Sequence, residues 1–274
     1  MVSVGEELLS PSVAESRRGR RRSPAPAVAR AAAALSLLAA DPRAPVGLSE
    51  LARRLGYPKS SLANIMTELV EAGLARRLGS EFALGRGVAE LGGAYLATLD
   101  IVQEFRSACN ELPTAATETL QLAVLDGLEV IYMARHDGRQ MVRFMASDIG
   151  RRLPATCTAL GKASLATLTS EELEARIAGM TTLPSMTSHS LRTVAGLVAD
   201  LDQVRRRGFA IDDEETTEGV MCFAVAVPAQ RLTGEICAVS ATMLKTRVTE
   251  AYARMLVEDL SVLARRLDLG GAGM

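Results

Sequence analysis

Apolar residues recur at Val28, Ala31, Ala32, Leu35, Leu38 and Ala39. That is the 3.6-residue period of a helix with one buried face, and Pro42 stops it. A short second helix is expected over "ELARRL" (50–55), capped by Ser49 and ended by Gly56. Pro58 then suits the first position of a third helix. Leu62, Ile65, Met66, Leu69 and Val70 fall on one stripe of that helix, and Gly73 ends it. Helix, tight glycine-containing turn, helix is the helix-turn-helix arrangement. "LARRL" (74–78) and "EFAL" (81–84) then read as two strands around Gly79-Ser80, a two-residue hairpin signal. A hairpin directly after such a helix is a wing. A further apolar stripe, Val88, Leu91, Tyr95, Leu99 and Val102, predicts one connecting helix over 88–111.

Beyond Pro113 the period changes. "TLQLAVLDGLEVIYMAR" (119–135) reads as strand, Asp-Gly turn, strand, and "RQMVRFMA" (139–146) as a third strand. "TALGKASLATL" (158–168) is helical, and Thr169 with Glu172 can form a capping box for the next helix. "VAGLVADLDQVRRRG" (194–208) is amphipathic. "FAID", "GVMCFAVAVP" and "GEICAVSATM" are strand-like, and a last helix covers roughly 249–267. Hairpins flanked by helices predict an α+β sandwich. The expected division is an arm (1–24), a winged helix-turn-helix (25–87), the connecting helix (88–111) and a second domain (112–270).

The chain of 274 residues is 48% hydrophobic, enough for two cores. The net charge of −1 hides an asymmetry: residues 1–99 carry a net +4 and the remainder −5. A basic first third suits a polyanion-binding module. Five of its charges lie in "RRGRRR" (17–22). That run serves equally as a solvated tail or as an arm on DNA phosphates. No apolar run is long enough to span a membrane, so a cytoplasmic location is expected. The four cysteines form no C-x-x-C pair and only two histidines are present, so neither a metal nor a cofactor is expected.

"LSELARRLGYPKSSL", "FALG", "LAVLDG", "GRRLPATCTALGKA", "GFAIDDEETTEGVMC" and "AVSAT" occur in this order. Together they resemble the IclR family of bacterial transcription regulators, from about residue 26 to 268. The resemblance implies a winged helix-turn-helix followed by a GAF-like α+β domain that binds a small organic effector. It also implies a homodimer or homotetramer, double-stranded DNA as partner, and no enzymatic activity.

The second helix of a helix-turn-helix presents its N-terminal residues to the major groove. Lys59, Ser60, Ser61, Asn64 and Thr67 are therefore the expected DNA-facing set. Arg53 and Arg54 on the preceding helix and Arg76 and Arg77 in the wing are expected on phosphates. Asn64 can pair with adenine; the alternative is that Asn and Ser here are only solvated polar positions. The family pattern resembles P-K-S-T-x-H-R, and Ala63-Asn64 replaces its basic pair.

For the effector, the resemblance implies N–H groups of Ala159 and Leu160 at a helix start and apolar walls from Val142, Met145 and Leu153. It further implies lining by Asp212, Cys222, Ser240 and Thr242. Ser240 and Thr242 alternate on one strand and so face one side. Cys222 is otherwise a small buried hydrophobe and "DDEE" a solvated turn. Leu160 stands where relatives are small, and Thr156-Cys157 where many carry His-Ala. Two other classes remain open on sequence. One is a GAF-like enzyme with Cys157 or Cys222 as nucleophile, which needs a base among His136 and His189. The other is a winged helix that contacts protein.

Overall fold

The computed structural model describes residues 23–139, 148–228 and 235–270. The expected arm (1–24) up to residue 22, the third strand over "RQMVRFMA", Val142 and Met145 therefore lie outside the described residues, apart from Arg139 at the strand's start. The chain divides between Thr98 and Leu99 into two compact units.

In the first unit, α1 (Pro26–Ala40), α2 (Leu48–Leu55) and α3 (Lys59–Glu71) enclose a core of Ala34, Leu38, Leu51, Leu62, Met66 and Leu69. Ser49 does not cap α2; Gly47 occupies the cap and Ser49 lies inside the first turn. Extended backbone at Gly47 lets the helix start two residues earlier. Gly56 ends α2 in the left-handed region (φ +65°), as only glycine does without strain. Pro58 is the residue before α3 and not its first helical residue, because its extended ψ of 132° precedes the turn. β2 (Ala75–Leu78) and β3 (Glu81–Leu84) pair across Gly79-Ser80. β1 (Val46–Gly47) adds a third strand to β3, too short for a sequence pattern to show. The single connecting helix expected over 88–111 is two helices. α4 (Gly87–Ala97) belongs to the first unit and α5 (Asp100–Ala108) to the second, with extended Leu99 between them.

The second unit is one six-stranded antiparallel sheet of order β6-β5-β4-β9-β8-β7. The strands are β4 (Thr119–Asp126), β5 (Glu129–Asp137), β6 (Arg152–Pro154), β7 (Ala210–Asp213), β8 (Val220–Ala226) and β9 (Cys237–Leu244). Side chains alternate between the faces. One face, with Ala123, Leu125, Val130, Tyr132, Ala224 and Ala238, is covered by α6 (Ala159–Leu165), α7 (Ser170–Ile177) and α8 (Val194–Arg207). On the alternate positions Leu120, Leu122, Phe223, Ala241 and Met243 are buried, and α9 (Glu250–Gly270) packs on β8 and β9 and against α5, which lies on β5. The Thr169–Glu172 capping box is formed, with Glu172 N donating to Thr169 Oγ1 at 3.2 Å and Thr169 N to Glu172 Oε2 at 2.9 Å. Gly161 lets α6 pack closely on the turn after β6, since a Cβ there would come within 2.2 Å of the Ala155 backbone.

Candidate DNA interface and effector pocket

α3 buries Leu62, Met66 and Leu69 and leaves Lys59, Ser60, Asn64 and Thr67 exposed. The expected readers therefore share a face, with two qualifications. Ser61 is half-buried and its Oγ accepts from Arg30 Nη1 at 2.7 Å. Thr67 Oγ1 donates back to the Ala63 carbonyl at 3.0 Å. Arg53 and Arg54 are exposed but both bind Glu50: Arg53 Nε donates to Oε2 at 2.8 Å and Arg54 Nε to Oε1 at 2.5 Å. These bonds hold the Glu50 carboxyl down at about 2. In the wing Arg76 is exposed and Arg77 lies over the Phe82 ring, 5.4 Å from its centre.

The second unit contains a pocket under the start of α6. Asp212, Cys222 and Thr242 stand in register across β7, β8 and β9, and Ser240 pairs with Gln121 of β4. Gln121, Tyr132, Leu153, Thr158, Ala159, Leu160, Asp212, Thr216, Val220, Cys222, Ser240 and Thr242 line it. Every effector residue expected from sequence that is described is therefore on its wall. Thr158 caps α6, its Oγ1 accepting from Gly161 N at 3.0 Å. Ala159 and Leu160 form the first turn, at the positive end of the helix. The cavity volume is about 20 Å³, room for a water and not for an organic acid.

The polar groups on this wall are bonded to each other. Gln121 Oε1 accepts from Ser240 Oγ at 2.8 Å and Thr242 Oγ1 at 2.9 Å. Cys222 Sγ lies 3.2 Å from Thr242 Oγ1. Asp212 Oδ1 accepts from Glu215 N at 2.7 Å and Thr216 N at 3.2 Å, and Oδ2 from Thr216 Oγ1 at 2.5 Å. Burial nevertheless raises the Asp212 carboxyl, against these bonds and the Lys162 charge. Burial first, then the Asp212 charge, raises the Cys222 thiol. Burial raises Cys157 as well, whose Sγ donates to the Pro184 carbonyl at 3.2 Å. That is opposite to the shift a thiolate nucleophile needs.

Two family profiles match this chain: "IclR helix-turn-helix domain" over residues 27–79 and "Bacterial transcriptional regulator IclR C-terminal" over residues 93–269. The chain belongs to the IclR family of transcriptional regulators. Among its relatives, the HTH-type transcriptional regulator XynR of Escherichia coli is 31% identical over 215 residues, 78% of this chain and 84% of XynR. The transcriptional repressor IclR of the same organism is 31% identical over 192 residues, 69% of each chain. A crystal structure of an IclR homolog from Microbacterium hydrocarbonoxydans, complexed with 4-hydroxybenzoate, shares the fold. Its TM-score is 0.71 at 22% identity, covering 89% of this chain and 99% of that one. Among the described residues no helix is long and apolar enough to cross a membrane.

In this IclR-family chain the sequence reading missed Gln121, Tyr132, Thr158, Thr216 and Val220 on the pocket wall. It also missed a buried ionic cluster beside the pocket. Lys162 of α6, 2% exposed, bonds Glu215 Oε1 through Nζ. The same Nζ is 3.0 Å from Asp200 Oδ2, without the alignment of a hydrogen bond. Arg207 Nη2 approaches Asp200 Oδ1 at 3.9 Å. Burial outweighs Lys162 at Glu215 and pushes its carboxyl up to about 7. The cluster ties α6 to the turn after β7 that carries Glu215 and Thr216 and bonds Asp212, so it links two walls of the pocket. A lysine inside the run "ALGKASL" is the signal that could have revealed it.

Proposed function

We propose that the protein represses a catabolic operon and responds to a small organic acid, or a related amide or hydrazide, bound beneath the start of α6. The supporting observation is convergence. The first-turn residues Ala159 and Leu160 meet Gln121, Ser240, Thr242 and Asp212 around one space. A carboxylate suits the positive end of α6, and the Ser240 and Thr242 hydroxyls can turn to bond it. Asp212 repels an anion and accepts from an amine, amide or hydroxyl at the other end of the ligand. The neighbour of the same fold with 4-hydroxybenzoate carries an acid of this type. At about 20 Å³ the pocket has to open for any such molecule, and Leu160, Leu153, Val220 and Tyr132 are the larger apolar side chains on its wall.

The DNA half of the proposal assigns Asn64, Ser60 and Lys59 to the major groove and Arg76 and Arg77 to flanking phosphates. The effector acts by population shift, changing the relative placement of two winged heads in a dimer so that the half-site spacing fits or fails. A thermal-shift screen of small carboxylic acids, amides and hydrazides tests the ligand class, because a molecule that binds only the folded state raises Tm. A rise with acids that also carry a hydroxyl or amide is expected. A response confined to hydrocarbons or to cationic amines without an acid group would refute the ligand class.

A further inference from the structure

Lys59 is the one cation among the exposed residues of α3, which also include Ser60, Asn64, Thr67 and Glu68. The phosphate contacts that hold a duplex must then come from residues around the helix. Arg53 and Arg54 share Glu50. Arg30 is different. It projects from α1, in a segment otherwise made of alanine, valine, leucine and proline up to Leu35. Its Nη1 donates to Ser61 Oγ at 2.7 Å, and its guanidinium carbon stands 5.3 Å from the centre of the Tyr57 ring. No carboxylate pairs with it among the described residues. Ser61 and Tyr57 hold the guanidinium by one donor and one face, which leaves the rest of its five-donor fork unused.

The position explains little as a stabilising device. Arg30 meets α3 at its third residue, in a first turn without acidic residues and without a side-chain cap. A cation at that end of a helix is disfavoured by the peptide dipoles. The same end is the part of a second helix-turn-helix helix that approaches the duplex. We propose that Arg30 binds a DNA backbone phosphate beside the start of α3, with Ser61 and Tyr57 as positioning residues that hold its guanidinium. Ser61 then serves backbone anchoring and is not a base reader. The inference rests on the DNA-facing assignment of α3.

The test uses the full chain and a duplex selected from a random pool by the wild-type protein, with Kd measured across a potassium chloride series. Arg30→Gln removes the charge and keeps a donor for Ser61, so it also serves if Arg30→Ala does not fold. Both variants are expected to weaken binding roughly tenfold, as the loss of a charge-assisted bond does. The slope of log affinity against log salt should fall by about one, with base preference unchanged. Ser61→Ala should weaken binding a few-fold at an unchanged base preference. A folded Arg30→Gln variant with the wild-type slope would overturn the role of Arg30. An altered base preference in Ser61→Ala would overturn the assignment of Ser61. A wild-type slope near zero would instead sink the DNA-facing assignment of α3 itself.

Discussion

Asn64 and Gln121 are both side-chain amides on faces proposed to bind something, and they are held in opposite ways. Asn64 stands exposed on α3 with no internal partner among the described residues. Gln121 is 2% exposed and accepts two hydroxyls. The contrast extends to the charges. Arg53, Arg54 and Glu50 pair in water, whereas Lys162, Glu215 and Asp200 pair inside the protein. A duplex approaching α3 replaces bonds to water. An effector entering the pocket has to replace protein bonds already made and to open a space of about 20 Å³. Only a ligand that returns those bonds gains from binding, because an unreturned buried group costs its full desolvation. On the proposed function, selectivity is therefore built into the pocket wall, and anchoring into the surface.

The difference can be broken most sharply at Lys162. Lys162→Met leaves Glu215 buried without its cation and takes one cation from half-buried Asp200, and should cost about 3–5 kcal/mol in denaturant unfolding. A loss indistinguishable from zero would mean that the cluster is solvated and the contrast false. Leu160→Ala should cost about 3 kcal/mol through the cavity it leaves, and should enlarge the set of acids that raise Tm. An unchanged set would remove Leu160 as a limit on the pocket.

A smaller effect comes from Glu215. Its carboxyl titrates near 7 in the folded chain against 4.5 for the ordinary group. The folded state thus holds the proton more tightly. Its contribution is fully present below about 4.5 and is lost as pH rises through 7. Between pH 5 and 8 the wild type should lose roughly 2 kcal/mol relative to Glu215→Gln. Parallel pH profiles would contradict this. At the exposed face, Arg53→Ala should leave the unfolding midpoint where it is, because surface pairs add little. A large drop would make the two regions alike.

The first unit was legible because its signals are local. Gly56, Gly79 and the stripes of α1 and α3 each act within a few residues. In the second unit the strands and helices were legible as segments, alternation placed Ser240 and Thr242 on one face, and the resemblance supplied the residues on the pocket wall. What escaped depends on distant pairing. Gln121 reads as one polar position in "LQLAVL" until β9 brings Ser240 and Thr242 beside it. Lys162 and Glu215 are 53 residues apart, and nothing local in "DDEE" separates the buried Glu215 from its exposed neighbour Asp213. Arg30 and Ser61 are 31 apart on different helices. The split of the connecting helix at Leu99 has no glycine or proline to announce it.

The most direct test of the account is the affinity of the selected duplex measured with and without an acid that raises Tm in the screen. The account predicts a change of about tenfold or more, since coupling of this kind is worth about 1–3 kcal/mol. An acid that stabilises the protein and leaves DNA affinity unchanged would contradict it.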